Sequence, residues 1–448
     1  MATRKKKILY GILILFCSIL LAASIYINSL MPIITGYAAK NLCSGVFISG
    51  RDQKEMEAAD LNFSFIKFNR NVVDFENKSV VSRFLWGRSK AIYREGFGAT
   101  LLRDIDEEDL RANRFPATTG PLYNPDTIKW PLGNIIPDTL TGINLSKLDS
   151  IEKKVEVNAY NGNIYAFMVL HKGIPVAETY KPQFNKDTRF LSWSMAKSFT
   201  NAFVGILVKQ GKMNVSEPAG FEEWADDERK NITLNDLLHM QSGLQWNEDY
   251  GNRSDVTVML HCESDMGKFA YDKKYAYPAG SHWYYSSGTT NIVSKLIRKE
   301  FIDDSSYYAF TRNELFSRIG LNDAILEADP SGTFVGSSYL YATARDYARF
   351  GLLYMNDGVF NGERILPERW VEYSTSEAGN SDGKYGAFFW LNKSRRIQSA
   401  PEDMYSCNGH DGQYIFMIPS KDLVIVILGF SPGGIDLEKL LGDILATV

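Results

Sequence analysis

The stretch Leu191-Ser-Trp-Ser-Met-Ala-Lys-Ser198 places Ser194 three residues before Lys197, at the point where an apolar run turns into a helix. Residues i and i+3 share one face of a helix, so the amine of Lys197 can reach the hydroxyl of Ser194. A serine hydroxyl is a weak nucleophile at neutral pH, and an adjacent amine whose pKa is lowered by burial can accept its proton. The stretch therefore predicts a nucleophile beside its base.

The same Ser-x-x-Lys spacing occurs elsewhere in the chain, at Ser64/Lys67, Ser150/Lys153 and Ser381/Lys384. The alternating run 63–68 predicts a strand, which would point the first pair to opposite faces. The second pair lies in a charged amphipathic stretch and the third in a polar loop, and both patterns predict a surface position. After Ser194, apolar residues recur at helical spacing up to Lys209, and Gly211 supplies a stop. We therefore expect only this copy to open a buried helix.

Length and composition indicate a large globular protein. The 448 residues are 45% hydrophobic and 13% aromatic, which is enough to bury a sizeable core. The net charge of −4 has mixed signs, and no basic run stands out beyond the extreme N-terminus. The sequence gives no support for nucleic acid as a partner.

The N-terminus carries a membrane signal. A basic tail at residues 1–7 precedes an uncharged apolar segment at 8–27, which as a helix would span about 30 Å, the thickness of a bilayer core. Positive charge before the segment predicts a cytoplasmic N-terminus, with everything after residue 28 outside, in the periplasm or at the cell surface. A cleaved signal peptide is the alternative, but its apolar core would usually be shorter and end in a small-x-small site. The pattern favours an uncleaved anchor.

The rest of the chain divides into an extension at 28–144, expected to pack on the main domain, and a main domain at 145–448. Apolar runs around the turns 172–173 and 419–422 predict two hairpins near the ends of the main domain. Between them the pattern is helical, with capping-box starts at Thr233 and Thr343. Strands at both ends of a helical middle predict the α+β class, with one antiparallel sheet covered by helices.

Two further polar clusters are candidates for the site. In Trp283-Tyr-Tyr-Ser-Ser-Gly-Thr-Thr290, a tyrosine beside a lysine ammonium would favour its phenolate, so Tyr285 is a candidate general base or acid. In Gly409-His-Asp-Gly-Gln413, a glycine-flanked turn feeds a strand, and its edge could offer the Gln413 amide beside that of Ser194 as an oxyanion hole. Each cluster alone has an ordinary structural explanation, as aromatic packing or as a turn.

Taken together and in chain order, Ser194-x-x-Lys197, Tyr285-Ser-Ser287 and His410-Asp-Gly412 resemble the three motifs of serine β-lactamases and penicillin-binding proteins. The three motifs resemble most those of the class C group. The segments 237–246, 342–351 and 409–419 resemble sequences of the esterase and 6-aminohexanoate-dimer hydrolase branch. The resemblance covers about residues 145–448. It implies a β-lactamase/transpeptidase-like fold with a helical subdomain.

Carried over position by position, the resemblance implies that Ser194 forms an acyl-enzyme, that Lys197 accepts its proton and that Tyr285 shuttles it. The backbone amides of Ser194 and Gln413 would hold the oxyanion. The residues expected to contact substrate are Ser287, His410, Gly412 and Tyr250. Ser287 stands where the family has asparagine, and His410 where it has a lysine that could hold a substrate carboxylate. Both departures weaken the case for β-lactam or D-Ala-D-Ala substrates.

We therefore expect a membrane-anchored serine hydrolase acting on ester, linear amide or peptide-like small molecules, without metal or cofactor. The alternatives are a β-lactamase, a D-Ala-D-Ala carboxypeptidase-like penicillin-binding protein, or a non-turnover acylated sensor or pseudoenzyme. A Ser-His-Asp hydrolase would require Gly-x-Ser-x-Gly, and the literal match at 379–383 has the composition of a surface loop. The five histidines show no ligand spacing. Cysteine spacing does not define a disulfide pairing among Cys43, Cys262 and Cys407.

Overall fold

The computed structural model of the protein describes residues 2–116, 123–138 and 142–448. Its helices are α1 (Ala2–Phe47), α2 (Gln53–Ala58), α3 (Glu107–Ala112), α4 (Leu145–Glu156), α5 (Ala196–Lys209), α6 (Leu234–Leu238), α7 (Asp255–Cys262), α8 (Met266–Tyr271), α9 (Ser287–Lys299), α10 (Asp304–Phe310), α11 (Ala344–Met355), α12 (Trp370–Ser374) and α13 (Leu437–Leu445). Its strands are β1 (Arg70–Asp74), β2 (Ser79–Phe84), β3 (Gly87–Arg94), β4 (Gly98–Leu101), β5 (Ile164–His171), β6 (Ile174–Tyr180), β7 (Phe190–Leu191), β8 (Ile325–Leu326), β9 (Leu340–Ala342), β10 (Val359–Phe360), β11 (Glu363–Arg364), β12 (Trp390–Leu391), β13 (Tyr405–Gly409), β14 (Gln413–Ile418) and β15 (Leu423–Gly429).

The central sheet joins the two ends of the predicted main domain. Its antiparallel strands run in the order β12-β13-β14-β15-β5-β6, so the late strand β15 pairs with the early strand β5. Both predicted hairpins are present, as β5–β6 and β14–β15. β5 and β15 are buried along almost their whole length, which explains why they read as continuous apolar runs rather than alternating ones.

Helices cover both faces of this sheet. α11 packs on one face, and α4 packs on β5 and β6 from the other side, together with α13. Along β15, Val424 and Val426 belong to the core on the α11 side, whereas Ile425 and Ile427 belong to the core under α4 and α13. α5 lies in the α11-side core, where the ring of Phe199 stacks on that of Phe350 on α11. The predicted α+β class is confirmed.

The N-terminal extension forms a layer of its own. The C-terminal part of α1 packs on the four-stranded sheet β1-β2-β3-β4. A buried ion pair joins Lys40 of α1 to Glu327 in the segment that follows β8. Glu327 also accepts hydrogen bonds from the Ser44 hydroxyl (2.8 Å) and the Ala99 amide (2.6 Å). These bonds compensate for the desolvation that a buried ion pair costs. The division between extension and main domain at residue 145 remains a prediction.

The first half of α1 is a candidate membrane span. Among the described residues, α1 is the one helix long and apolar enough to cross a membrane, as judged by length and composition. Residues 8–27 are exposed along the whole segment, and burial begins at residue 29. The first part of α1 is therefore an exposed apolar helix, and from residue 29 onward the same helix packs against the rest of the extension.

Two expectations about local structure were wrong. Residues 63–68 do not form a strand: Ser64 has a left-handed φ of 43° and Ile66–Phe68 is a 3-10 turn, with Ile66 buried while the phenylalanines stay exposed. Ser381 was expected on the surface, but its side chain is buried, and its hydroxyl donates to Tyr385 O (3.3 Å). β13 was not predicted, because the polar residues in it hide its strand character.

Candidate active site

The turn that carries the predicted nucleophile Ser194 begins where β7 ends. The backbone N–H of Ser192 donates to Leu340 O on β9 (2.8 Å), which fixes the start of the turn. Trp193 then adopts a φ of 45°, an uncommon conformation for a non-glycine residue and typical of functional turns. Ser194 lies in the 3-10 turn Trp193–Met195, which continues directly into α5. Amides in the first turn of a helix have no intrahelical acceptor, so the Ser194 N–H is a candidate donor to a ligand.

Lys197 lies where the spacing predicts. Its Nζ donates to Ser194 Oγ, to Ser287 Oγ and to the backbone carbonyl of Ser337, each at 3.0 Å. The side chain is buried, and burial lowers the pKa of this amine to about 8, while the nearby Glu248 carboxylate opposes the shift. A substantial fraction of the amine is therefore neutral near physiological pH, and a neutral amine can accept the serine proton.

Glu248 is a polar partner that the sequence analysis missed. One of its carboxylate oxygens accepts from the Ser287 hydroxyl, and the other accepts from the Ser287 amide (2.9 Å) at the start of α9. The same oxygen accepts from the indole N–H of Trp246. Glu248 thus positions the Ser287 side chain, which in turn contacts Lys197. Nothing local distinguished it from the exposed acid Asp249, because its partner Ser287 lies 39 residues further along the chain.

Tyr285 lies against Lys197. The Lys197 Nζ is 4.9 Å from the centre of the Tyr285 ring, and the ring packs against Trp390 at 5.2 Å. Burial raises the pKa of the Tyr285 phenol and the charge of Glu248 raises it further, while contact with Ser194 opposes the shift. This shift opposes the expected phenolate, and the role of Tyr285 as base or acid stays a prediction. The phenol stays protonated at neutral pH, which suits a proton donor rather than a general base.

Two predicted substrate contacts form an aromatic wall. The ring of Tyr250 stacks on His410 with centroids 4.7 Å apart, and it meets Trp193 edge-on at 6.3 Å. The imidazole of His410 lies 3.4 Å from the Asp411 carboxylate. The Tyr250 hydroxyl is buried and has no hydrogen-bond partner among the described residues. Such a group costs free energy until a ligand or a water supplies the missing bond.

Glycines bring the third motif close to the nucleophile turn. A side chain at Gly409 would place Cβ 2.2 Å from Ser192 O, so only glycine allows this approach. Gly412 has a φ of 92°, and a Cβ there would lie 3.0 Å from Ser431 Cβ. The role of Gly412 in the structure is therefore in the turn itself, and its contact with substrate remains a prediction.

The oxyanion amide predicted at Gln413 lies on an inner strand. β14 is flanked by β13 and β15, and the Gln413 side chain bonds both backbone groups of Gly429 (2.6 and 3.0 Å). On the side of β13 that faces β12, only residues 405 and 406 are paired. Residues 407–409 of β13 therefore have no partner on that side among the described strands. Backbone amides on this edge could also hold an oxyanion, and the assignment to Gln413 stays a prediction.

The remaining candidates lie outside the cluster. The Gly-x-Ser-x-Gly match at 379–383 has neither a strand before it nor a helix after it, so it lacks a nucleophile elbow. Ser150 and Lys153 are exposed on α4, as predicted. The chain's four cysteines, all within the described residues, are unpaired.

Comparison with known proteins places this geometry in a family. The model of the beta-lactamase family matches residues 161–440, more than half of the chain. The chain belongs to the beta-lactamase family. The 6-aminohexanoate-dimer hydrolase of Paenarthrobacter ureafaciens is 24% identical over 322 residues, which cover 64% of this chain and 76% of that protein.

Solved structures share the fold of this beta-lactamase family member. A penicillin-binding protein homologue from Caulobacter crescentus superposes with a TM-score of 0.57 at 15% identity, covering 70% of this chain and 99% of that one. A family VIII carboxylesterase superposes with a TM-score of 0.54 at 14% identity, covering 68% of this chain and 98% of that one. The fold is thus found in proteins described as hydrolases and as penicillin-binding proteins.

The extension contributes to the surroundings of the site in this beta-lactamase family member. Tyr37 of α1 stacks on Trp193, the residue before Ser194, with ring centroids 6.3 Å apart. A small cavity between α1 and the main domain is lined by both rings and reaches Asp411 and Gln413. The extension was predicted to pack on the main domain, but its contact with the surroundings of Ser194 was not predicted.

We expect Glu248→Gln to move the acidic limb of the pH–rate profile to lower pH. The negative charge of Glu248 raises the pKa of Lys197, so its removal lowers that pKa and leaves more neutral amine below pH 8. Rates measured between pH 5 and 10 would show the shift, and Asp249→Asn, an exposed neighbour, is the matched control. A limb that stays in place would mean that Glu248 does not set the charge state of the base.

Proposed function

We propose that the protein is a membrane-anchored serine hydrolase that cleaves ester or linear amide bonds through an acyl-enzyme. The observation that carries this proposal is the 3.0 Å contact between Lys197 Nζ and Ser194 Oγ, made by an amine whose pKa burial lowers to about 8. A nucleophile in hydrogen-bond contact with a base that is partly neutral at working pH is the minimum that acyl transfer requires.

The proton has a consistent path in this proposal. Neutral Lys197 takes the Ser194 proton as the oxygen attacks the substrate carbonyl, and the Ser194 amide with a second backbone amide holds the oxyanion. The protonated Tyr285 donates to the leaving alcohol or amine and recovers its proton from Lys197. In the second half-reaction a water replaces the leaving group, its proton passes to the same pair, and Ser194 is released as a hydroxyl.

The substrate class follows from what the second and third motifs offer. The Ser287 hydroxyl is already engaged by Lys197 and Glu248, so it has little capacity left for a substrate amide. His410 lies beside the Asp411 carboxylate, which reduces the net positive charge available to a substrate carboxylate. Esters and linear amides need neither contact. The relative from Paenarthrobacter ureafaciens is named for hydrolysis of a 6-aminohexanoate dimer, and its name supports the same substrate class.

Parallel assays on small acyl esters, linear amides and β-lactams test this function. Wild-type protein should turn over esters or linear amides and should be labelled by a fluorophosphonate, while Ser194→Ala should do neither. Stoichiometric labelling without turnover of any of the three classes would indicate an acylated sensor. The absence of Ser194-dependent labelling would indicate a pseudoenzyme, and preferred turnover of β-lactams would overturn the substrate class.

The anchoring part of the proposal rests on residues 8–27. This segment is apolar and exposed along its length, and a basic cluster precedes it. We propose that it crosses the membrane with the N-terminus in the cytoplasm and the hydrolase domain outside. Protease added outside intact cells should then digest the folded domain and leave the N-terminal tail protected.

We expect Tyr250→Phe to raise KM about tenfold with a smaller effect on kcat, because the variant removes a buried hydroxyl whose missing hydrogen bond a bound substrate could supply. The ring and its stacking on His410 are kept. Steady-state kinetics on the preferred ester provide the measurement. An unchanged KM would show that the hydroxyl points away from bound substrate, and Tyr284→Phe, at an exposed tyrosine, serves as the control.

A further inference from the structure

The extension carries an exposed apolar surface next to the candidate membrane span. It is formed by the turn between β2 and β3 and by the neighbouring 3-10 turn, and we call it the apolar tip: Phe65, Phe68, Leu85 and Trp86, which are 55–68% exposed. The rings of Phe65 and Phe68 meet the ring of Phe84 at 6.2 and 6.3 Å, so the two turns form one surface. Exposed aromatic and aliphatic residues grouped in this way mark an interaction site.

The height of the apolar tip along α1 is fixed by two contacts. The indole N–H of Trp86 donates to Asn28 Oδ1 (3.0 Å), one residue beyond the end of the candidate span. Gly87 lies against Met31, close enough that an added Cβ would be 2.8 Å from the Met31 Cβ. The tip therefore lies where the helix would leave the hydrocarbon core. Tryptophan is enriched at that depth because its ring is apolar and its N–H is polar.

A row of arginines lies directly above the tip. In the register of the sheet, Arg70 is opposite Arg83, and Arg83 is opposite Arg88, so three guanidinium groups share one face of β1, β2 and β3. All three side chains are exposed. Like charges directly opposite one another destabilise a sheet, so this arginine row has a cost that folding alone does not explain.

The acidic residue nearest to the arginine row on its own strands is Asp74, four residues beyond Arg70. Residues 61–73 and 79–94 contain no aspartate or glutamate. The carboxylate of Glu57 approaches β1 but bonds the Asn71 and Gln53 side chains. Asn71 is next to Arg70 in the strand and therefore points to the opposite face. Asp74 shares the face of Arg70 but lies four residues, about 13 Å, further along β1. Among the described residues no salt bridge joins a carboxylate to Arg70, Arg83 or Arg88, and phosphate groups match such unpaired guanidinium groups in geometry and sign.

We propose that the extension docks on the outer leaflet of an anionic phospholipid bilayer, with the apolar tip inserted at the interface and the arginine row bound to lipid phosphates. The arginine row lies one to two residues along the strands from the turn between β2 and β3, which is a distance of about 3–7 Å. This distance matches the thickness of the headgroup layer. This proposal rests on the proposed membrane anchoring and goes beyond it. It would hold the hydrolase domain at a fixed height, with Tyr37 and the site about 15 Å above the end of the span.

Trp86 makes the proposal measurable. It is the one exposed tryptophan of the chain's eight, all of which lie within the described residues. We would reconstitute the full chain at one copy per nanodisc and measure tryptophan emission with lipids brominated in the acyl chain. Wild-type emission should be quenched in discs of phosphatidylglycerol and phosphatidylcholine, and Trp86→Phe should lose the quenched component.

A matched control lies at the other end of the same sheet. Phe75 is 70% exposed and packs near Phe47, which is about 30 Å beyond residue 27 along α1. In the Trp86→Phe background, Phe75→Trp should give an emission component that brominated lipids do not quench. Quenching of both positions to the same extent would overturn the proposed orientation.

The arginine row is tested by lipid composition. Each exposed arginine near an anionic surface should change the ratio of docked to undocked protein about fivefold. Trp86 quenching should therefore weaken in discs of phosphatidylcholine alone, at high salt, and in the triple variant Arg70→Gln/Arg83→Gln/Arg88→Gln. Ser194-dependent labelling of each variant checks that it is folded.

The outcomes separate the proposal from its alternatives. Co-elution with nanodiscs but no Trp86 quenching would overturn docking while leaving the anchor intact, and failure to co-elute would overturn both. Quenching that appears only with two copies per disc would identify a second copy of the chain as the occupant. Quenching that ignores lipid charge and the triple arginine substitution would overturn the role of the arginine row.

Discussion

Replacing Ser194 with alanine is expected to lower ester or amide turnover by on the order of 10⁴-fold or more, since the acyl-enzyme can no longer form. The loss should fall on kcat, because Tyr250, His410 and the oxyanion amides remain in place to bind substrate. Steady-state kinetics together with fluorophosphonate labelling would measure both aspects.

The chain supplies its own control for this result. Ser150→Ala combined with Lys153→Ala removes an exposed Ser-x-x-Lys copy on α4 with the same spacing. Activity and labelling should stay within about twofold of wild type, as is usual for surface substitutions. Turnover that survives Ser194→Ala would require another nucleophile and would overturn the proposed mechanism.

Replacing Lys197 with alanine is expected to lower kcat/KM by more than about 100-fold, because the base that accepts the serine proton is lost. In the wild type, activity should rise with pH through a limb near pH 8, since only the neutral amine can act and its pKa lies at about 8. Below that limb the rate should fall by about tenfold per pH unit. Near-normal rates for Lys197→Ala, or a limb far from pH 8 in the wild type, would show that the base has been misassigned.

A second substitution separates loss of chemistry from loss of fold. The folded-state pKa of Lys197 is below its ordinary value of 10.5, so charging the buried amine costs stability. That cost is fully present below about pH 8 and fades as the pH rises toward 10.5. Lys197→Met removes the buried charge and keeps the volume, which offsets the three lost hydrogen bonds. We expect it to be inactive and to unfold near the wild-type temperature at pH 7.

Much of the fold could be predicted because its signals are local. The two hairpins show apolar runs separated by short turns, and the starts of α6 and α11 show capping boxes that need only residues i and i+3. The strand predicted at 63–68 was wrong because that prediction also used only a local signal. Its alternation suggested a half-buried strand, but the exposed phenylalanines have no partner layer, and their placement follows the extension and not the period of the sequence.

In the candidate site, too, local features could be predicted from the sequence and contacts between distant segments could not. The sequence by itself determined the pairing of Ser194 with Lys197, because helix geometry brings residues three apart onto one face whatever surrounds them. Only the tertiary structure decided that Glu248 holds Ser287, that Tyr37 of α1 packs on Trp193 beside Ser194, and that burial raises the pKa of the Tyr285 phenol. These features depend on contacts between segments far apart in the chain and on burial. Burial belongs to the packed environment of a residue, and no local spacing encodes it.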